Sequence, residues 1–100
     1  MEITVSDNPT MERYEAVVDG RLAGFAHYRL RPDGVAITHT EVLPEFEGRG
    51  IGGRLAKAAL DDIRARAVKV IPICPFVAGF IRRHPEYADL TVDRYRGEVA

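Results

Sequence analysis

Four glycines fall within six positions, in the run Gly48-Arg49-Gly50-Ile51-Gly52-Gly53. Glycine at a helix start costs conformational entropy and adds no packing. A cluster there serves where the backbone must bend sharply or approach another group closely. Immediately after it, Ile51, Leu55, Ala59 and Ile63 recur four apart, flanked by Ala56 and Leu60. Arg54, Lys57, Asp61, Asp62, Arg64 and Arg66 fall mostly on the other side, so the pattern predicts an amphipathic helix over 51–67. Residues 35–42, rich in β-branched side chains, predict a strand leading into the glycines. The first N–H groups of a helix lack intrahelical acceptors, and the helix dipole adds partial positive charge there. Such a turn binds phosphate oxygens without a lysine; it reads equally as a flexible connection. It is not a Walker A loop, because Leu55 and Ala56 do not supply the required Lys and Ser/Thr. Nor does it sit in the βαβ context of a dinucleotide fingerprint.

The rest of the chain is punctuated by turn residues. Alternation predicts strands over 3–5, 11–18 and 22–30, with Asp19-Gly20 as a two-residue hairpin turn. Arg31-Pro32-Asp33-Gly34 supplies the next turn. Residues 68–74 return to β character, and Pro72 there places that strand at an edge, at a bulge, or splayed from its neighbour. A second helix is predicted over 75–84, with Phe76, Val77, Phe80 and Ile81 as its apolar face, ending before Pro85. A short last strand is predicted over 90–95. The expected fold is therefore α+β: a mixed sheet with an antiparallel N-terminal meander, one right-handed parallel β-α-β crossover and two helices.

A length of 100 residues fits a single domain over 1–100. Lys and Arg number 14 against 15 Asp and Glu, for a net charge of -1. That balance opposes a nucleic-acid partner. Cys74 is the single cysteine, which excludes an internal disulfide and a cysteine-based zinc cluster. Three histidines without a close carboxylate cluster predict no metal site. The N-terminus lacks a signal-peptide pattern, and no apolar run is long enough to span a membrane. A reducing, cytoplasmic location is the expectation.

The glycine run, with His39-Thr40-Glu41-Val42 before it and Cys74-Pro75-Phe76-Val77 and His84-Pro85-Glu86-Tyr87 after it, resembles a small single-domain branch of the GNAT superfamily of N-acetyltransferases. The resemblance covers residues 10–92. Gly50 and Gly52 match the last two named positions of that family's Arg/Gln-x-x-Gly-x-Gly/Ala loop. It implies a GNAT-like fold and acetyl-CoA as cofactor, with the diphosphate held by the loop and its borders: Val42, Leu43, Gly48, Arg49, Gly50, Ile51, Gly52 and Gly53. The pantetheine arm then lies between two splayed parallel strands, near Cys74, and the acetyl group passes to an amine. Arg82 and Arg83 are expected either at the 3′-phosphate or an acidic acceptor, or on a solvated helix face. The chain departs from the family pattern at Glu47, which replaces the first Arg or Gln. It departs again at Pro75 and Arg82, which replace the Asn and Tyr of an Asn-x-x-Ala-x-x-x-Tyr pattern that Ala78 keeps. The helices that wall the acceptor site in larger members have no counterpart.

Acyl transfer to an amine needs a neutral amine, a polarised carbonyl and a protonated leaving thiolate. On a strand, Ile37, His39 and Glu41 share one face. Glu41 and His39 are thus candidate bases, or simply hydrogen-bonded to each other. Cys74 is a candidate nucleophile or acid, or a packed thiol. The leading expectation is an acetyl-CoA-dependent N-acetyltransferase with an unidentified amine acceptor. The alternatives are a CoA-binding module without turnover, and a subunit or oligomer whose acceptor site a partner completes.

Overall fold

The computed structural model describes residues 2–100. Turn chemistry sets the sheet. Asp19 and Gly20 both take positive φ, 50° and 78°, and join β2 (Arg13–Val18) to β3 (Arg21–Arg31) as a tight hairpin. Pro32 and Asp33 join β3 to β4 (Gly34–Val42), and β1 (Ile3–Asn8) pairs antiparallel with β2. Helix α1 (Ile51–Ala65) carries the chain back so that β5 (Val70–Pro72) pairs parallel with β4, giving the order β1-β2-β3-β4-β5. Helix α2 (Pro75–Arg83) follows β5 directly. Short 3-10 turns occupy Pro44–Phe46, Pro85–Leu90 and Asp93–Val99.

One face of the sheet holds the main core. The four-apart stripe of α1 is fully used: Ile51, Leu55, Ala59 and Ile63 are buried, as are Ala56 and Leu60. They pack with Tyr14, Ala16, Tyr28 and Ile37 of the sheet and with Val77, Phe80 and Ile81 of α2. His84 closes α2 by bonding its Nδ1 to the Phe80 carbonyl at 2.8 Å while its ring stacks on Phe80.

Two predicted elements differ. The fifth strand is three residues long, because Ala67 turns the chain at φ 59° and Pro72 has no N–H to extend the ladder. The expected strand over 90–95 is absent apart from one parallel bridge, Val70 to Thr91. Val92 and Tyr95 instead sit three apart against Ala36 and Ile71 on the second face, a spacing that suits a 3-10 turn and not a strand.

Two phenols and three charged groups fasten α1 to the antiparallel strands. Tyr14 donates to Asp62 and Tyr28 donates to Asp7, both at 2.7 Å. Arg66 bridges the two carboxylates, at 2.8 Å from Asp7 and 3.0 Å from Asp62. Burial, and then the bond to Asp7, push the Tyr28 phenol up to about 12. The folded state therefore holds the Tyr28 proton more tightly than the unfolded chain, whose phenols titrate near about 10. That stabilisation is complete below about pH 10 and is lost as pH rises toward 12. Urea unfolding titrations across this window are expected to show falling stability, with a shallower fall in Tyr28→Phe. An unchanged slope in Tyr28→Phe would remove Tyr28 from the linkage.

Candidate functional site

The loop after β4 is held by its own backbone. Leu43 donates its N–H to the Ala23 carbonyl at 2.8 Å, and the Pro44–Phe46 turn buries Phe46. The Arg21 and Arg49 guanidiniums lie 5.3 and 5.5 Å from the Phe46 ring centre, so the loop is anchored on an aromatic with cations beside it. Gly48 and Gly50 then take φ of 79° and 76°, which side chains other than glycine adopt at a cost. Gly50 is the residue before α1 and offers no side-chain cap, and no acidic residue stands in the first turn of the helix. The Arg54 N–H makes the first helical bond, to the Gly50 carbonyl at 3.1 Å. Hence the N–H groups of Ile51, Gly52 and Gly53 have no intrahelical acceptor. A cleft of about 320 Å³ opens over them, bordered by Val42, Glu47, Gly48 and Phe76. Amide donors, the helix dipole and a carboxylate-free first turn suit a diphosphate. The Glu47 side chain is exposed at the cleft's edge.

Next to the loop the sheet forks. The β4–β5 ladder ends at Ile37 opposite Pro72, with one further bond from the Cys74 N–H to the Ile37 carbonyl at 2.9 Å. Cys74 is the residue immediately before α2 and is buried, its thiol donating to the Thr40 hydroxyl at 3.5 Å. His39 and Glu41 lie on the same stretch of β4 and touch each other, His39 Nε2 to Glu41 Oε1 at 3.2 Å.

The expected common face of Ile37, His39 and Glu41 does not survive. The β3–β4 register shifts, so that Tyr28 faces Ile37 while His27 faces His39, leaving Thr38 as an extra residue. This bulge turns the strand over. Ile37 joins the buried core, whereas His39 and Glu41 emerge on the opposite, open face with Phe25 and His27. Phe25 sits 4.8 Å from the His27 ring and 6.5 Å from His39, with the Arg13 guanidinium 4.9 Å from its centre. In the sequence Phe25 reads as a core or rim aromatic and His27 as a histidine without a marked role; what gathers them beside His39 and Glu41 is the pairing of β3 with β4, which a single-strand pattern does not carry. Thr40, opposite Ala26, stays on the helical side with Cys74.

Val42, Gly48, Gly50, Ile51, Gly52 and Gly53 therefore line one cleft, with Leu43 and Arg49 in the same loop. Cys74, Thr40, His39 and Glu41 gather at the fork on two sides of β4. Arg82 and Arg83 stand apart, in the last turn of α2, whereas its first turn meets the loop. Arg82 donates to the Glu98 carbonyl at 2.5 Å. Among the described residues no group of three His, Cys, Asp or Glu is placed to hold a metal ion, and no helix is long and apolar enough to cross a membrane.

A family model described as GCN5-related N-acetyl-transferase matches residues 13–90. Relatives by sequence include the protein NATD1 of Xenopus tropicalis and of Homo sapiens, each 37% identical over 51 residues, 51% of this chain and 47% and 45% of theirs. The Danio rerio NATD1 is 35% identical over 57 residues, 55% of this chain and 52% of its own. The chain thus spans about half the length of these relatives. Among solved structures, a GCN5-like protein from Staphylococcus aureus superposes with a TM-score of 0.65 at 24% identity, covering 91% of this chain and 87% of that one. That likeness concerns the fold.

Proposed function

The chain belongs to the GCN5-related N-acetyltransferase family, and from that premise we propose that it transfers the acetyl group of acetyl-CoA to an amine. The observation that carries this reading is the adjacency of two features. A helix start without a cap or a first-turn carboxylate stands beside the fork where β4 and β5 part.

Acetyl-CoA supplies the acetyl group as a thioester. The N–H groups of Ile51, Gly52 and Gly53 hold its diphosphate, and the fork admits the extended arm between β4 and β5. Glu41, hydrogen-bonded to His39 on the open face, takes the proton that the acceptor nitrogen must lose as it bonds to the carbonyl carbon. The C–S bond breaks with its electron pair on sulfur. A proton reaches that sulfur from the Cys74 side of β4, from the thiol itself or from water. Base and thiol on two sides of one strand suit direct transfer, in which the amine arrives from one side and the sulfur departs on the other.

A second reading is a CoA-binding subunit completed by a partner. The sheet face around Phe25, His27 and His39 favours it, since Phe25 and His27 are only half-buried there and His39 is exposed, a surface that a partner can cover. Calorimetry with acetyl-CoA, followed by mass spectrometry of a panel of small amines and peptides, separates the two. Binding with acetylated product is the expected result. Binding without product from any amine supports the second reading, and no binding at millimolar ligand overturns both.

A further inference from the structure

Phe76 is the second residue of α2 and is 40% exposed, while its neighbours Val77 and Phe80 are buried. Its ring reaches out from the helix and rests on the first turn of α1. A Cβ built on Gly52 meets the ring tip, Cζ, at 2.9 Å and Cε2 at 3.3 Å. Gly52 is thus the residue that lets the ring sit there. The ring also borders the cleft over the glycine loop, with Val42 and Ile51. Two chemistries therefore adjoin within that cleft. One side presents amide donors for an anion, and the other presents an apolar wall of the half-buried Val42 and the exposed Phe76, while the Ile51 side chain turns into the core.

A ligand that satisfies both sides carries a diphosphate joined to a compact branched hydrocarbon. Coenzyme A has this arrangement, because its diphosphate is esterified to a pantoyl unit with a geminal dimethyl carbon. An adenine nucleotide lacking that arm satisfies the amides and leaves the apolar wall in water. We propose that Phe76 is a specificity-determining residue that selects pantetheine-bearing ligands over adenine nucleotides at this loop. The inference rests on the acetyl-CoA reading above and adds to it the residue that makes the distinction.

The test is calorimetry on wild type, Phe76→Ala and Phe76→Leu with two ligands, CoA and adenosine 3′-phosphate 5′-diphosphate, the part of CoA without pantetheine. Thermal melts monitor the fold. Removing an aromatic face of this size is expected to weaken CoA about tenfold in Phe76→Ala while the nucleotide stays within about twofold, with Phe76→Leu between wild type and alanine. Equal losses for both ligands overturn the inference, because they indicate general damage to the loop. Unchanged CoA affinity in Phe76→Ala also overturns it and leaves the acetyl-CoA reading standing. A wild-type protein that binds neither ligand overturns that reading and the inference together.

Discussion

Gly50→Glu is expected to fold and to bind no CoA. The residue stands at φ 76° immediately before α1, and a Cβ there has nothing within 4 Å. The new side chain therefore has room, and the backbone strain costs about 1–2 kcal/mol. The loss of binding comes from charge. A carboxylate at this position answers the helix dipole and the free N–H groups of Ile51, Gly52 and Gly53, which are the donors a diphosphate needs. Displacing an internal carboxylate and facing its repulsion should lower affinity by on the order of a hundredfold or more. Gly50→Ala carries the same strain without the charge and is expected to weaken binding only a few-fold. Gly50→Asn, a residue that tolerates the left-handed region, should lie nearest wild type. Calorimetry with CoA and thermal melts check all three. Wild-type affinity in Gly50→Glu would show that the diphosphate does not sit on this helix start. Gly52→Glu makes a poorer test than its place in the motif suggests. Its side chain begins 2.9 Å from the Phe76 ring, so packing damage and charge cannot be told apart there.

What could be read in the sequence was local. Asp19-Gly20 announced a hairpin because two positive φ values in succession demand such residues, and both are present. The stripe of Ile51, Leu55, Ala59 and Ile63 fixed the inner face of α1, since burial on one side leaves a 3.6-residue imprint. Pro72 left an edge, a bulge or a splayed strand open, and the parallel ladder ends there. What could not be read depends on partners distant in sequence. The Thr38 bulge exists only in the pairing of β4 with β3, and it decides which side His39 and Glu41 face. Strict alternation put them with Ile37, on the wrong face. The seating of Phe76 on Gly52 joins two helices 24 positions apart and leaves no mark in either periodicity. The segment after Leu90 carried β-type residues, but it had only the outer edge of a three-residue strand to pair with.

Glu41→Gln is expected to lower kcat by about 100-fold or more for any amine the wild type acetylates, with CoA affinity unchanged. Glutamine keeps the size of the side chain and its contact with His39, and loses only the ability to accept a proton. Both Glu41 and His39 have half or more of their side chains exposed, so neither exchange should disturb the fold. Their positions divide the work. Glu41 lies opposite Phe25 on the open face, where an acceptor amine has access, and His39 touches its carboxylate at 3.2 Å. If the carboxylate is the base, His39→Ala should cost much less than Glu41→Gln, because His39 only orients its neighbour. The reverse order would transfer the role to the imidazole. Full activity in both variants would mean that solvent takes the proton and that the pair does no chemistry. Cys74→Ala tests the other side of the strand. Its thiol sits with Thr40 among core residues, so a kcat loss there with CoA binding intact places proton delivery at the departing sulfur. Glu41→Gln and Cys74→Ala act at opposite ends of one C–S for C–N exchange. If both are active in that exchange, combining them should cost less than the product of the separate losses, since each then removes part of the same transition-state stabilisation.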